Sequence, residues 1–145
     1  QPEFTYFPVK PRTVKEEREY LRLNRGKRKS GNEYAFSIYY GDELVGAVGV
    51  MIDQRRPHIG EIGYFLDRKY WGRGIAVKAV GLIEEFIDND LHLHRLEIAM
   101  AKRNKASRRV AEKCGFKKEG LQRGRLFSGG RYLDCYIYSK IKPDR

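Results

Sequence analysis

Cysteine is scarce in this 145-residue chain, and so are long apolar runs. Two cysteines, Cys114 and Cys135, are too few for a disulfide scaffold and lack the spacing of a zinc site, so we expect free thiols in a reducing cytosol and no metal. Apolar runs stay well short of the roughly 20 residues that a membrane helix needs, which predicts a soluble protein with no membrane contact. Repeats and linkers are also missing, so residues 1–145 are expected to form a single domain.

Acidic residues are in deficit. Lys and Arg number 30 against 19 Asp and Glu, which gives a net charge of +11. We therefore expect an anionic partner, and nucleic acid, an acidic protein and a phosphorylated cofactor all fit. The basic run at 102–113 favours nucleic acid, but no RNA or DNA motif is present and no aromatic residues interleave with that run. An RNA-binding module without catalysis stays as the alternative to an enzyme.

Hydrophobic periodicity predicts the order helix, three strands, helix, strand, helix, two strands. The capping pattern of Thr13 and Glu16 predicts a first helix that runs to about Arg25, before a basic loop at 25–29. Helical spacing predicts two more helices, one from Ile75, with Glu84 and Glu85 on its polar face, and one capped by Asn104. Period-two alternation and turn residues predict strands at 34–40, 44–52, 59–66, 96–101, 116–127 and 131–141.

A glycine-bearing loop lies between the strand at 59–66 and the clearest amphipathic helix of the chain. The first amides of a helix have no internal partner and sit at the positive end of its dipole, so Gly72 to Ala76 can present N–H groups to a phosphate. The loop matches neither the nucleotide-triphosphate nor the dinucleotide glycine spacing. By itself the Gly-x-Gly-x-Ala pattern predicts an anion site without naming the anion.

Four motifs together resemble the GCN5-related N-acetyltransferase (GNAT) family, and most resemble its ribosomal-protein N-terminal acetyltransferases. They are, in chain order, Gly63–Asp67, Tyr70–Ala76, Asn104–Ser107 and Glu112–Phe116. The resemblance covers about residues 10–141 and implies an α+β fold, with a mixed, mostly antiparallel sheet that is flanked by helices and splayed near the cofactor. Family members usually begin with a strand and a helix that are not found before Thr13, so either truncation or a reduced acceptor side is expected.

The resemblance also implies acetyl-coenzyme A as cosubstrate. Its pyrophosphate would lie on the amides that begin the helix, and its pantetheine would pair with the preceding strand like an added strand. The implied residues are Trp71, Gly72, Arg73, Gly74, Ile75 and Ala76 for the pyrophosphate, Phe65 and Leu66 for the pantetheine, Asn104 and Ser107 for the pantetheine and thioester, and Lys113 for the ribose 3′-phosphate. Where Trp71 stands, the family usually has Gln or Arg.

Amine acetylation needs a neutral amine and a proton for the departing thiolate. Glu61 is the candidate base, because it precedes Gly63 by two residues and so shares its face of the strand; the alternative is that Glu61 only pairs with a basic neighbour. Ser107 is the candidate acid, since many family members place a tyrosine where this chain has Ala111; the alternative is a serine bonded to local backbone. Tyrosines at 132, 136 and 138 form a stripe that would supply the acid, line the acceptor pocket, or only pack the sheet.

The acceptor is expected to be a protein or peptide N-terminal amine. An α-amine with a pKa near 7.7–8.0 costs only about 1 kcal/mol to deprotonate at pH 7, against roughly 4–5 kcal/mol for a lysine-like amine, so a modest base suffices. The basic loop at 25–29 favours an acidic or ribosomal protein end. A polyamine or aminoglycoside acceptor and a coenzyme-binding regulator without catalysis stay open, as do a monomer and a homodimer.

Overall fold

The computed structural model describes residues 6–8, 21–25 and 32–142, which form one eight-stranded sheet and two α-helices. The strands are β1 Tyr6–Pro8, β2 Leu21–Arg25, β3 Glu33–Tyr40, β4 Glu43–Ile52, β5 Ile59–Leu66, β6 Arg95–Ala101, β7 Lys117–Ser128 and β8 Arg131–Ile141. The helices are α1 Ile75–Phe86 and α2 Lys105–Lys113. A 3₁₀ turn at Arg68–Tyr70 precedes α1, and a π-helical turn at Ile87–Leu91 follows it. From β3 onward the predicted order of elements is confirmed.

The strands follow the spatial order β1-β2-β3-β4-β5-β6-β8-β7, and each pair is antiparallel except β5 with β6. These two parallel strands pair only where Ile59–Glu61 meets Arg95–Glu97, and beyond that point they separate. The expected α+β fold, with a mixed, mostly antiparallel sheet, is therefore confirmed. The separation leaves a gap in the sheet beside the second half of β5.

The prediction that the first helix extends to about Arg25 is wrong, because residues 21–25 form strand β2. Leu21 and Leu23 are 2% and 0% exposed, and β2 pairs with β3 along its whole length. Sheet pairing of two alternating leucines therefore overrides the helix signal that precedes them. The predicted start of that helix, at 13–20, lies outside the described residues.

The edge strand of the sheet, β1, comes before the predicted first helix in the sequence. Tyr6–Pro8 pairs antiparallel with β2 there, although no strand is predicted from the sequence before Thr13. The basic loop expected at 25–29 begins at Arg25, the last residue of β2. Residues 26–29 of that loop lie outside the part of the chain that the structure describes.

Helix α1 packs its apolar stripe on the sheet, but one polar residue of this helix departs from the predicted pattern. Glu84, expected on the polar face, is only 7% exposed. Its carboxylate accepts hydrogen bonds from the Lys140 Nζ at 3.0 Å and the Lys142 Nζ at 2.7 Å. Lys140 belongs to β8 and Lys142 follows it, so this buried charge cluster ties α1 to the last strand.

We expect Glu84→Ala to lower the free energy of unfolding by about 3 kcal/mol, because it leaves the partly buried Lys140 ammonium without its carboxylate partner and leaves Lys142 with only Asp88, at 3.6 Å. Urea denaturation measures the change. Glu85→Ala is the matched control: this neighbour is exposed, and we expect its loss to stay within about 0.5 kcal/mol. Equal effects of the two substitutions would contradict a structural role for the cluster.

Candidate active site

A cleft of about 520 Å³ opens where β5 and β6 separate, which is within the usual volume of a small-molecule site. Its walls come from the second half of β5, from the loop and first turn of α1, and from one side of α2. The lining residues are Tyr64, Phe65, Leu66, Tyr70, Trp71, Gly72, Gly74, Ile75, Ala76, Val77, Asn104, Ala106, Ser107, Arg109, Val110 and Lys113.

The cleft brings together residues that are as much as 49 positions apart, from Tyr64 to Lys113. All of the residues predicted to bind coenzyme line it except Arg73, whose guanidinium carbon lies 5.2 Å from the centre of the Tyr70 ring. Glu61, the predicted base, is not among the lining residues. The roles assigned to all of these residues stay predictions, but their assembly in one cleft is a structural fact.

The start of α1 has free hydrogen-bonding capacity. Gly72 and Gly74 both have φ of +77°, the left-handed region that disfavours any residue with a Cβ. Gly74 is the N-cap, and within the described residues no side chain caps the helix and no acidic residue lies in its first turn. The first amides of α1 are therefore left for an anion from outside the chain, as the sequence predicts.

Backbone groups of β5 are also open toward the gap. The Asp67 N–H donates to the Val45 carbonyl at 2.8 Å, which fixes the alternation of hydrogen-bonded pairs between β4 and β5. By that alternation Phe65 exchanges its backbone hydrogen bonds with β4, whereas Tyr64 and Leu66 direct theirs away from it. Strand-like pairing with a ligand therefore falls to Tyr64 and Leu66 and not to Phe65.

Trp71, which departs from the family pattern, holds the loop against the end of β5. Its Nε1 donates to the Leu66 carbonyl at 2.9 Å, and the Arg68 guanidinium lies 5.4 Å from the centre of its ring. The indole remains 52% exposed. At the position where the resemblance implies Gln or Arg, the side chain thus binds a backbone group of the cleft.

Tyr64 is a site residue that the sequence reasoning missed. Its hydroxyl donates to the Ser107 Oγ at 3.0 Å across the cleft. Burial raises the pKa of the Tyr64 phenol above its ordinary value of 10.0, so the phenol keeps its proton at neutral pH. The Ser107 N–H in turn donates to the Asn104 Oδ1 at 3.1 Å, which confirms the predicted helix cap.

Arg109 is the second residue that was missed. It lies four positions before Lys113 on α2, and both side chains line the cleft. Residues four apart share a helix face, so this spacing was the available signal. With the first turn of α1, these two cations give the cleft a positive charge suited to a phosphorylated ligand.

A second groove, of about 370 Å³, lies on β3, β4 and β5. Its floor is a cross-strand row of small residues, Ala35, Gly49 and Gly63, which alternate along the strands with buried core positions. The groove is therefore on the sheet face that points away from the core. Tyr64 and Phe65 line both the groove and the cleft, so the two meet at β5.

Glu61 lines this second groove and forms an ion pair there. The Arg125 Nη2 lies 2.7 Å from the Glu61 Oε1, and the two side chains are 31% and 42% exposed. Arg125 projects from a bulge of β7, where the Gly124 N–H donates to the Asp134 Oδ1 at 2.9 Å. Glu61 thus shares the strand face of Gly63, as the prediction of a catalytic base requires. It also pairs with a basic neighbour, so the alternative of a purely ion-pairing role stays open.

The tyrosine stripe on β8 makes packing contacts. The Tyr138 hydroxyl donates to the Glu112 Oε2 at 3.0 Å, and the Tyr136 ring lies 3.7 Å from the Lys118 Nζ. Tyr132 is 74% exposed and packs its ring on a neighbour within the β7–β8 hairpin. These contacts favour the interpretation of the stripe as sheet packing.

The described residues hold two thiols but no group of metal ligands and no membrane-spanning helix. Both cysteines, Cys114 and Cys135, are free thiols. Within 6–8, 21–25 and 32–142, no three His, Cys, Asp or Glu side chains are grouped to hold a metal ion. Neither α1 nor α2 has the length and apolarity to cross a membrane, and the same holds for every helix in the described residues.

Comparison with known proteins relates the chain to acetyltransferases. A family model described as the acetyltransferase (GNAT) domain matches residues 1–117. The probable N-acetyltransferase YjcK of Bacillus subtilis (strain 168) is 34% identical over 135 residues, which is 91% of this chain and 75% of that protein. The ribosomal protein uS5-alanine N-acetyltransferase of Escherichia coli (strain K12) is 25% identical over 119 residues, 80% of this chain and 61% of that protein.

Solved structures are similar as well. The ribosomal-protein-S5-alanine acetyltransferase from Vibrio fischeri matches with a TM-score of 0.73 and 31% identity, over 79% of this chain and 64% of that one. The microcin C7 self immunity acetyltransferase MccE, solved with acetyl-CoA and AMP, matches with a TM-score of 0.70 and 31% identity, over 77% of this chain and 62% of that one. The chain therefore spans less than two thirds of both solved structures.

Proposed function

Because the chain belongs to the GNAT family of acetyltransferases, we propose that it transfers the acetyl group of acetyl-coenzyme A to a primary amine. One observation supports this most: the uncapped start of α1, with its two left-handed glycines, lines a cleft between two separated strands. Helix-start amides bind anions through hydrogen bonds and the helix dipole together. A similar protein, MccE, was solved with acetyl-CoA.

In this proposal the coenzyme follows the cleft from one end to the other. Its pyrophosphate lies on the amides between Gly72 and Ala76, and its pantetheine pairs with the backbone groups of Tyr64 and the N–H of Leu66, whose carbonyl binds Trp71. Lys113 meets the 3′-phosphate, with Arg109 adjacent on the same helix face. This arrangement places the thioester beside Asn104 and Ser107, where the cleft reaches the second groove.

The acceptor amine approaches through the second groove, whose floor has no side chain larger than a methyl group. Glu61 takes a proton from the protonated amine, directly or through a water, and the neutral nitrogen attacks the thioester carbon. The nitrogen then loses its second proton by the same route as the amide forms. The carbon–sulfur bond then breaks, and Ser107 gives its proton to the thiolate. Glu61 of β5 thus removes protons from the nitrogen, and Ser107 of α2 supplies the proton to the sulfur.

We propose a protein or peptide N-terminus of the ribosomal-protein type as the acceptor, and the cytoplasm as its location. An α-amine has a pKa near 7.7–8.0, so removing its proton requires only a weak base such as the partly exposed carboxylate of Glu61. Similar proteins are named for acetylating ribosomal protein S5. The free thiols of Cys114 and Cys135 agree with a reducing compartment.

An acceptor screen tests the proposal. Release of free coenzyme A thiol from acetyl-coenzyme A is followed with peptides that carry different N-termini, with polyamines and with aminoglycosides. The proposal predicts release that depends on the peptide and stops when its α-amine is blocked. Release with polyamines or aminoglycosides alone would overturn the acceptor, and no release with any amine would overturn the transferase.

Gly63→Val is expected to raise the acceptor KM at least about tenfold while leaving coenzyme affinity unchanged. A Cβ at Gly63 has no described atom within 4 Å, so the valine fits the strand and fills the middle of the groove instead. Steady-state kinetics with each substrate varied in turn measures both constants. Gly81→Ala is the control, because that glycine also has open space but lies on α1; equal effects would place the acceptor elsewhere.

A further inference from the structure

We propose that Tyr64 is a positioning residue that directs the Ser107 hydroxyl toward the coenzyme sulfur. The inference rests on the proposed acetyl transfer and adds to it a residue that acts through Ser107. The observation behind it is the 3.0 Å hydrogen bond between the two hydroxyls, which joins β5 to α2 across the floor of the cleft.

The hydrogen-bonding capacity of serine explains the effect. A serine hydroxyl has one proton and two acceptor sites, and the Tyr64 phenol donates to one of those acceptor sites. The serine proton is then free to bind another acceptor. A serine in the first turn of a helix otherwise turns its hydroxyl to local backbone groups. By holding the oxygen from outside the helix, Tyr64 draws the Ser107 hydroxyl away from those groups and into the cleft.

The rest of the serine is held as well. Its backbone N–H donates to the Asn104 Oδ1 at 3.1 Å, so the first turn of α2 is fixed at the same residue. The Tyr64 ring is partly buried and packs against the hydrophobic core, which limits its movement. Because burial raises the pKa of this phenol, it remains a hydrogen-bond donor throughout the neutral pH range.

Each proton that moves in the acetyl transfer has a donor and an acceptor. When the tetrahedral intermediate collapses, the carbon–sulfur bond breaks and its electron pair stays on sulfur. The thiolate takes the Ser107 proton, and water returns a proton to the Ser107 oxygen. The protonated amine loses two protons to solvent through Glu61, one before the attack and one from the tetrahedral intermediate, and one of the two balances the proton that water returns to Ser107. The Tyr64 proton stays on its own oxygen, and its hydrogen bond stabilises the charge that develops on the Ser107 oxygen.

Tyr64→Phe and Ser107→Ala, alone and combined, test the inference. We expect kcat to fall about tenfold for Tyr64→Phe, the value of one hydrogen bond, and about 100-fold for Ser107→Ala. The double variant should be no slower than Ser107→Ala, because Tyr64 acts only through that hydroxyl. Coenzyme Kd and acceptor KM should stay at wild-type values in Tyr64→Phe, which keeps the ring and the backbone groups of this residue.

Tyr138→Phe is the matched control. It removes another tyrosine hydroxyl bond to α2, also of 3.0 Å, which ends on Glu112. We expect its kcat to stay at the wild-type value even where thermal stability falls. A wild-type kcat for Tyr64→Phe, or losses that multiply in the double variant, would overturn the role of Tyr64 while the proposed function stands. A wild-type chain that releases no thiol would overturn the proposed function, and this inference with it.

Discussion

Gly74→Val is expected to weaken acetyl-coenzyme A binding about 100-fold, which corresponds to about 2.7 kcal/mol. The φ of +77° at Gly74 costs a residue with a Cβ roughly 1–2 kcal/mol, so the loop relaxes away from this conformation. That relaxation moves the N-cap of α1 and misplaces the amides of the first turn, whose hydrogen bonds and dipole hold the pyrophosphate. Isothermal titration calorimetry with acetyl-coenzyme A measures the loss.

Gly129→Val is the control that distinguishes backbone strain in general from the loss of the coenzyme-binding loop. Gly129 has φ of +60° in the hairpin turn between β7 and β8, so valine there brings a similar conformational cost. We expect this variant to lose stability and to keep wild-type coenzyme affinity. Should both variants bind coenzyme equally well or equally poorly, the glycine loop before α1 would have no special part in binding.

Glu61→Gln is expected to lower kcat about 100-fold without changing coenzyme affinity, because the amide has no basic oxygen to take the amine proton. The loss should be greatest at low pH, where a larger share of the acceptor α-amine is protonated. Rates measured across the pH range with saturating acetyl-coenzyme A check both statements. A wild-type pH profile in this variant would remove Glu61 from the mechanism.

Arg125→Ala distinguishes the two interpretations of Glu61. It breaks the 2.7 Å ion pair but leaves the carboxylate in place. If Glu61 is the base, kcat should stay within a few-fold of wild type, since an exposed ion pair contributes only about 0.2–1 kcal/mol. Equal losses in Arg125→Ala and Glu61→Gln would mean that Glu61 serves only to pair with the β7 bulge.

Local patterns predicted most of this fold. Strand β5, the hairpin of β7 and β8 and the cap at Asn104 depend on neighbours in sequence, and each is confirmed. Strand β2 was missed because only its pairing with β3 shows that Leu21 and Leu23 are buried in a sheet. A five-residue strand beside a strong capping pattern carries too little signal of its own.

In the candidate site, too, the local features were predictable and the contacts between distant residues were not. The glycine loop is local, so its residues could be named from their order along the chain. Tyr64 and Ser107 are 43 positions apart, and Glu61 and Arg125 are 64 apart. The first contact depends on the separation of β5 from β6, and the second depends on a bulge in β7. Hydrophobic periodicity in the sequence predicts neither feature. Glu84 was misplaced for the same reason, since its partners come from the end of the chain.

The central claim is that the first amides of α1 bind the coenzyme pyrophosphate. A ¹⁵N–¹H correlation spectrum recorded during titration with coenzyme A tests it directly, because each amide reports its own hydrogen bond. The account predicts that the largest shifts fall on Gly72 to Ala76, with smaller shifts at Tyr64 and Leu66. Saturating coenzyme that shifts other amides and leaves Gly72 to Ala76 unchanged would contradict it.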